Sequence, residues 1–503
     1  MSSKRLLPLA VLLVILVFVA IILKRQPAPT SLSEETGFER LVPQTLHADR
    51  ITGVELYQGA KPESPVRLRR QDGAWVVSSY YNAPVKTDKI KGFLDTLSTL
   101  QGELRADKSE LLGDFRLEEA QAFHLRVYTE DTASPAVHLL AGKSSGRQSF
   151  MRLANNARVY SVNLNLYSEA GLSGGHTDQP PEAKPWLDLQ VQDVPKDQIT
   201  AVELHAPERS FRFAWQQPPA ATTTQTPQEA TTQEPTAKPH WALIAPEVPY
   251  AVKQEAVDSL VSTLRTLRAE DVADPARATD YGLDTPLYRT VMTVQPANQE
   301  AHEVLLLVGH AVSEQDNKRY ARLGTAGLIY VLPSWALQRL FPSAKEVLEL
   351  PHLSATPADI TRLTWQQGQE SWSLERYPPG PPAAGEVQSS TTWRLAESPQ
   401  TTVDEQAVNA LLDAVTQLTV DDWFEQPTQP TALDRPLLTL TLTLRDGRQE
   451  HLTVGSPRGN GSSGYYASLL DAPGIFAVSA TTYTTLTEVL AKLRPSSSDS
   501  STP

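Results

Sequence analysis

Three phrases with the same hydrophobic and polar alternation recur along the chain: DRITGVEL at 49–56, DQITAVEL at 197–204 and the looser DITRLTW at 359–365. Each reads as a half-buried strand, because side chains two apart share a face. Thr52, Val54 and Leu56 are predicted inward in the first copy, Thr200, Val202 and Leu204 in the second, and Thr361, Leu363 and Trp365 in the third. A second strand and then a strand led by tryptophan follow each phrase, with Trp75, Trp241 and Trp393 in the same place. In the first copy Asp72-Gly73 is a short hairpin signal. In the other two the turn swells into Pro-, Thr-, Gln- and Ser-rich tracts, which bury too little apolar surface to order themselves.

A helical pattern comes next in every copy. Ile90, Phe93, Leu94, Leu97 and Leu100 repeat at i, i+3, i+4, i+7 spacing, as do Val257, Leu260, Val261, Leu264 and Leu267. Val408, Leu411, Leu412, Val415 and Leu418 do the same. Such a stripe packs on a sheet. Loops LLGDFRL, DYGLDTP and TALDRP then lead into hairpins whose second strands end in the aligned Gly142, Gly309 and Gly455, followed by FMRL, YARL and YASL strands.

This pattern predicts an α+β chain: a single N-terminal transmembrane helix followed by three tandem β-rich modules, each with antiparallel strands and one packing helix. The expected boundaries are 49–173, 197–342 and 359–494, with linkers at 26–48, 174–196 and 343–358. The tracts 216–238 and 378–391 are expected to be hairpin-tip inserts within the second and third modules, and 495–503 a disordered tail.

The membrane expectation rests on Leu6–Leu23, an uncharged apolar run between Lys4-Arg5 and Lys24-Arg25. At ~1.5 Å per residue it reaches about 27 Å, close to a bilayer core. No small-residue cleavage site precedes Lys24, so residues 1–25 read as a cytoplasmic tip and an uncleaved signal anchor. The expected location is the cytoplasmic membrane, with the bulk of the chain on the extracytoplasmic side.

Composition narrows the chemistry. The chain has no cysteine, which removes disulfides, thiolate metal sites and cysteine nucleophiles. Its formal charge is −13 and it has no basic run, so nucleic acid is not an expected partner. GKSSG at 142–146 fits G-x-S-x-G with Ser144 as nucleophile, but it sits at a strand-to-strand turn and an elbow needs a strand feeding a helix. The same stretch lacks the upstream glycine of a phosphate loop. His302 and His310 bracket one strand and do not have metal-ligand spacing. Glu103, Glu270-Asp271 and Asp421-Asp422 recur after the main helices and read as solvated loop charge. Tyr281-Gly282-Leu283-Asp284 reads as a turn, with a partner-contact loop as the rival. The three tryptophans read as core anchors, with sugar stacking as the rival. No catalytic, cofactor-binding or metal residue is assigned, and no cofactor is expected.

The run WALIAPEVPYAVKQEAVDSLVSTLRTLRAEDV, then DYGLDTP, LLLVGH, RYARL and IYVLPSW, resembles the DUF4340 family. The second copy carries the likeness best; the first has LGDFRL and the third TALDRP in place of the Tyr-Gly-Leu-Asp stretch. The resemblance implies a bacterial protein anchored by one N-terminal helix, encoded beside an ABC transporter and a gliding-motility-like auxiliary subunit. It supplies no catalytic residues. The expected function is a non-enzymatic accessory or scaffold of such a complex, held to the lipid bilayer through Leu6–Leu23. The alternative is an extracytoplasmic ligand- or glycan-binding array.

Overall fold

In the computed structural model, residues 37–129, 134–172, 178–217, 238–377, 392–459, 464–469 and 472–494 are described. They build three antiparallel sheets of ten, eight and nine strands. The chain divides into two compact units, residues 1–188 with the first sheet and 189–503 with the other two.

All three sheets share one order of eight strands, to which the first sheet adds two edge strands and the third one. In the second it runs His240–Ala245, Arg209–Gln216, Ile199–Ala206, Tyr288–Val294, His302–Ser313, Asp316–Leu323, Ile329–Leu332 and Asp271–Ala273. The recurring phrase lies near the middle, between the hairpin partner that follows it and Tyr288–Val294, while the short strand that directly follows the main helix, Asp271–Ala273, closes the far edge. The main helices Thr87–Ser98, Gln254–Arg265 and Glu405–Thr416 bury the apolar stripes read from the sequence. The tryptophans hold equivalent registers: Trp75 faces Arg70, Trp241 faces Trp215 and Trp393 faces Arg376.

The expected fold is corrected in two respects. The described chain is mostly β, because each module sets eight to ten strands against one main helix of 12 residues. Among the described residues no helix is long and apolar enough to cross a membrane. The longest, Ala480–Lys492, has 13 residues, where a span takes about 20. The expected span Leu6–Leu23 lies outside the described residues, as do most of the insert 216–238, the insert 378–391 and the tail 495–503.

The recurring threonines are not core residues. Ile51, Ile199 and Ile360 are fully buried instead, beside Val54, Val202 and Leu363. In the second and third modules the cause is a β-bulge: Ile199 faces Val294 while Ala201 faces Thr293, and Ile360 faces Leu444 while Arg362 faces Thr443. One extra residue reverses the side-chain parity. Each threonine hydroxyl donates across the strand, Thr200 to the Thr293 carbonyl at 3.4 Å and Thr361 to the Thr443 carbonyl at 3.0 Å.

The segment read as a linker at 343–358 is built into the fold. A capping box starts the helix Ala344–Val347, with Ser343 and Glu346 satisfying each other's backbone amides. Leu348 then bridges to Val252 in the second module, and His352 to Thr419 in the third. The 174–196 segment does comparable work: Leu187 bridges to Val85 inside the first unit, and Gln190 to Arg268 inside the second.

A latch recurs at the aligned glycines. The residue after each donates its amide to the preceding loop: Lys143 to Phe115 at 2.9 Å, His310 to Tyr281 at 2.8 Å and Ser456 to Thr431 at 2.8 Å. The next loop residue has positive φ in every module: Arg116 at 56°, Gly282 at 68° and Ala432 at 49°. Only the second module uses glycine there, which relieves the crowding a Cβ meets at such angles. Ala432→Gly is therefore expected to stabilise the third module by about 0.5–1 kcal/mol, read as a raised denaturation midpoint at unchanged slope.

Candidate functional site

Two places concentrate polar side chains out of water. One is a joint inside the second unit. The turn after Ile199–Ala206 carries Glu208 and Arg209 against the third module. Arg209 donates to the Asp422 carboxylate at 2.6 Å and to the Pro342 carbonyl at 3.1 Å. Asp422 also accepts from the amides of Ala344 at 2.8 Å and Trp423 at 3.1 Å. Glu208 accepts from Arg458 at 2.9 Å, Thr428 at 2.8 Å and Tyr466 at 3.2 Å. Burial pushes the Glu208 carboxyl up, but these donors outweigh it and hold the group below its ordinary range. Apolar contacts flank the ion pairs: Phe211 meets Trp423, Tyr250 meets Phe476, and the Tyr250 hydroxyl donates to the Pro473 carbonyl at 2.8 Å.

The second place is the central strands of the first sheet. Both faces of Gly53–Gln58 are buried except at its last residue. Glu55, 6% exposed, accepts from Arg67 at 2.8 Å and Arg126 at 3.3 Å. Beside it His124, 2% exposed, stacks on Tyr57 at 4.6 Å and lies 3.0 Å through Nδ1 from Nε2 of His138. Burial, then the nearby His124, Arg126 and Arg152, push His138 down to about 4, and burial lowers His124 too. The folded state therefore binds fewer protons than the unfolded chain between about pH 6.5 and 4, so stability is complete above that window and falls as pH drops through it. Allowing for solvent screening at the partly exposed His138, the loss is on the order of 1–2 kcal/mol. Hydrogen exchange of the strands Phe123–Tyr128 and Val137–Ser145 is expected to quicken accordingly, after correction for intrinsic rates, and His138→Gln to flatten the dependence.

The residues singled out from sequence scatter. Ser144 is exposed in the strand Val137–Ser145, opposite Ser149, at a hairpin with Gly146 in its turn. His302 and His310 lie eight residues apart on one strand, about 27 Å at ~3.4 Å per residue. Glu103 pairs with Arg105, Glu270 with Lys318 and Asp421 with Lys345. Asp422 is the exception, buried in the joint rather than solvated. Tyr281 stacks on Tyr320 at 3.9 Å, and Leu283 is buried. Trp241 and Trp393 are buried, with Trp241 donating to Asp258 at 3.1 Å, while Trp75 is half-buried. Among the described residues no group of three or more histidines or carboxylates is arranged to hold a metal.

Sequence reasoning missed Glu208, Arg209 and the His124–His138 pair. Glu208-Arg209 sits in a short hairpin turn, where charge is ordinarily solvated, and its main partner is 213 residues away. The histidines alternate with apolar residues and read as a solvent face.

Shared strand order and latch define the class: a protein of tandem antiparallel β-sheet modules, two of them clasped by partly buried ion pairs. The model of one protein family, Domain of unknown function (DUF4340), matches residues 75–239, 241–391 and 393–495. These matches cover most of the chain, and the chain belongs to the DUF4340 family. Each match starts at or within a residue of the strand led by Trp75, Trp241 or Trp393, and the first two run on into the opening hairpin of the next module. No curated protein and no solved structure matches the chain.

Proposed function

We propose that the chain is a non-catalytic scaffold, an accessory subunit of a bacterial membrane transport complex of the ABC type, with its modules on the extracytoplasmic side. The observation that carries this reading is the joint of the second and third modules. Paired charges taken out of water on both sides of a turn fix one module against the next, which suits a body that holds partners at set positions. The genomic setting implied by the family resemblance supplies the class of complex. The extracytoplasmic placement is the expectation read from Leu6–Leu23, which lies outside the described residues.

The test is purification of the tagged full chain from its native membrane after reversible cross-linking in mild detergent. Stoichiometric recovery of permease or ATPase subunits is expected, reduced several-fold by Glu208→Ala with Arg209→Ala. Recovery of the chain free of transporter subunits under all cross-linking conditions would remove the reading.

A further inference from the structure

We propose that the second module binds a small monocarboxylate with an apolar or aromatic body, its carboxylate paired with the guanidinium of Arg322. The inference goes beyond the scaffold reading and does not depend on it. Arg322 lies on the strand Asp316–Leu323, opposite Leu307 on one side and Ile329 on the other. Residues directly opposite share a sheet face, so Arg322 is on the face that carries the buried cluster of Tyr281, Leu283, Leu307 and Ile329. Tyr320, two residues before it on the same strand, packs against that cluster and stacks on Tyr281. Arg322 is 9% exposed, and its Nε is fully buried without an acceptor. Among the described residues no hydrogen bond, ion pair or ring contact reaches its terminal nitrogens either. Those two nitrogens are not fully buried, so a ligand can reach them.

The first module shows a satisfied arginine at the same place. Arg152 lies opposite Leu140 as Arg322 lies opposite Leu307. Its Nε donates to the Leu117 carbonyl at 2.9 Å, and its Nη1 to the carbonyls of Leu153, Ala154 and Asn156 at 3.0, 3.0 and 3.2 Å. The third module has Ser468 there. After Arg322 the corresponding turn holds Gly324 and Gly327, at φ 65° and 103°. A Cβ added at either meets nothing within 4 Å, so the turn is open. Neighbouring charges are engaged elsewhere. Lys318 pairs with Glu270 at 2.9 Å, and Arg289, opposite Leu307 on its other side, with Glu203 at 3.4 Å. In the loop around Tyr281 and Leu283, Asp280 pairs with Arg277 at 3.0 Å and Asp284 accepts from Thr279 at 2.9 Å. Arg322 is thus a buried cation without an internal counter-ion, an arrangement that is costly until an anion arrives. One positive charge in apolar surroundings matches one negative charge, whereas a phosphate dianion would leave net charge out of water. The planar guanidinium presents parallel N–H donors that fit the two oxygens of a carboxylate. The apolar cluster beside it favours an apolar body.

The experiment titrates the full chain with benzoate, benzamide and inorganic phosphate by calorimetry, and follows the denaturation midpoint of the second unit. Benzoate has the charge, benzamide the same body without it, and phosphate charge without the body. Saturable binding of benzoate is expected. Benzamide should bind at least about tenfold more weakly, the worth of one charge-assisted hydrogen bond, and phosphate should also bind more weakly than benzoate. Arg322→Met should abolish the benzoate response. Without ligand its midpoint should equal or exceed that of the unaltered chain, because Met replaces an unpaired buried charge with an apolar side chain. Saturating benzoate should raise the midpoint of the unaltered chain and leave that of Arg322→Met where it is. No saturable response to benzoate, equal binding of benzamide, preference for phosphate, benzoate binding that survives Arg322→Met, or a midpoint lowered by that substitution would each overturn the proposal.

Discussion

Gly142→Ala is expected to destabilise the first unit by roughly 3–5 kcal/mol, although it adds a single methyl group. A Cβ built on Gly142 lies 2.0 Å from the Phe115 carbonyl oxygen, and the equivalent distances are 2.1 Å from Tyr281 at Gly309 and 2.0 Å from Thr431 at Gly455. The obstacle is backbone, so no rotamer change relieves it. The loop must retreat by about 1 Å, which costs about 1–3 kcal/mol of overpacking. It also breaks the latch from the Lys143 amide, leaving a donor and an acceptor unpaired at a further cost of about 1–3 kcal/mol. The same loss is expected for Gly309→Ala and Gly455→Ala. Gly92→Ala in the helix Thr87–Ser98 is the control. A Cβ there meets nothing within 4 Å, and the substitution should stabilise by about 0.5–1 kcal/mol. Urea unfolding of the two first-unit variants checks the pair. A Gly142→Ala midpoint close to that of the unaltered chain would show that the loop does not cross there.

Arg209→Met should loosen the joint by about 3–5 kcal/mol, because it strands the Asp422 carboxylate in a site where the residue is 7% exposed. Asp422→Asn should cost less, since an amide oxygen still accepts from Ala344 and Trp423. Removing an exposed pair such as Arg277–Asp280, 3.0 Å apart, should leave the joint as it is, because solvent screens the pair. Hydrogen exchange of the segments 206–213 and 420–425 reads the difference. Protection should fall by two to three orders of magnitude in Arg209→Met and remain nearly unchanged in Arg277→Ala.

Much of the fold was legible because two periods carry it. The i, i+3, i+4, i+7 stripes of all three helices are buried as read, and the three phrases begin homologous strands. Thr200 and Thr361 misled because a bulge is invisible to strict alternation: Ile199 and Ile360 occupy the core positions those threonines were expected to fill, and in the first module Ile51, just before the strand, does the same for Thr52. The transmembrane element of the expected fold has no counterpart among the described helices, which are too short and too amphipathic. The joint was illegible for a different reason. Sequence shows Glu208-Arg209 as a charged turn and Asp421-Asp422 as a charged loop, and only tertiary packing brings Arg209 to Asp422. GKSSG shows the converse: a motif conspicuous in the sequence lands on an exposed hairpin.

The central claim is that the second and third modules form one body through the Glu208-Arg209 turn. The chain has no cysteine, so Ser259→Cys and Asn409→Cys, both at exposed positions on main helices, give a clean pair of spin-label sites. Pulsed dipolar spectroscopy on that double variant should return a single narrow distance distribution, which broadens when Glu208→Ala and Arg209→Ala are added. A broad distribution with the turn intact, or a narrow one unaltered by its loss, would contradict the claim.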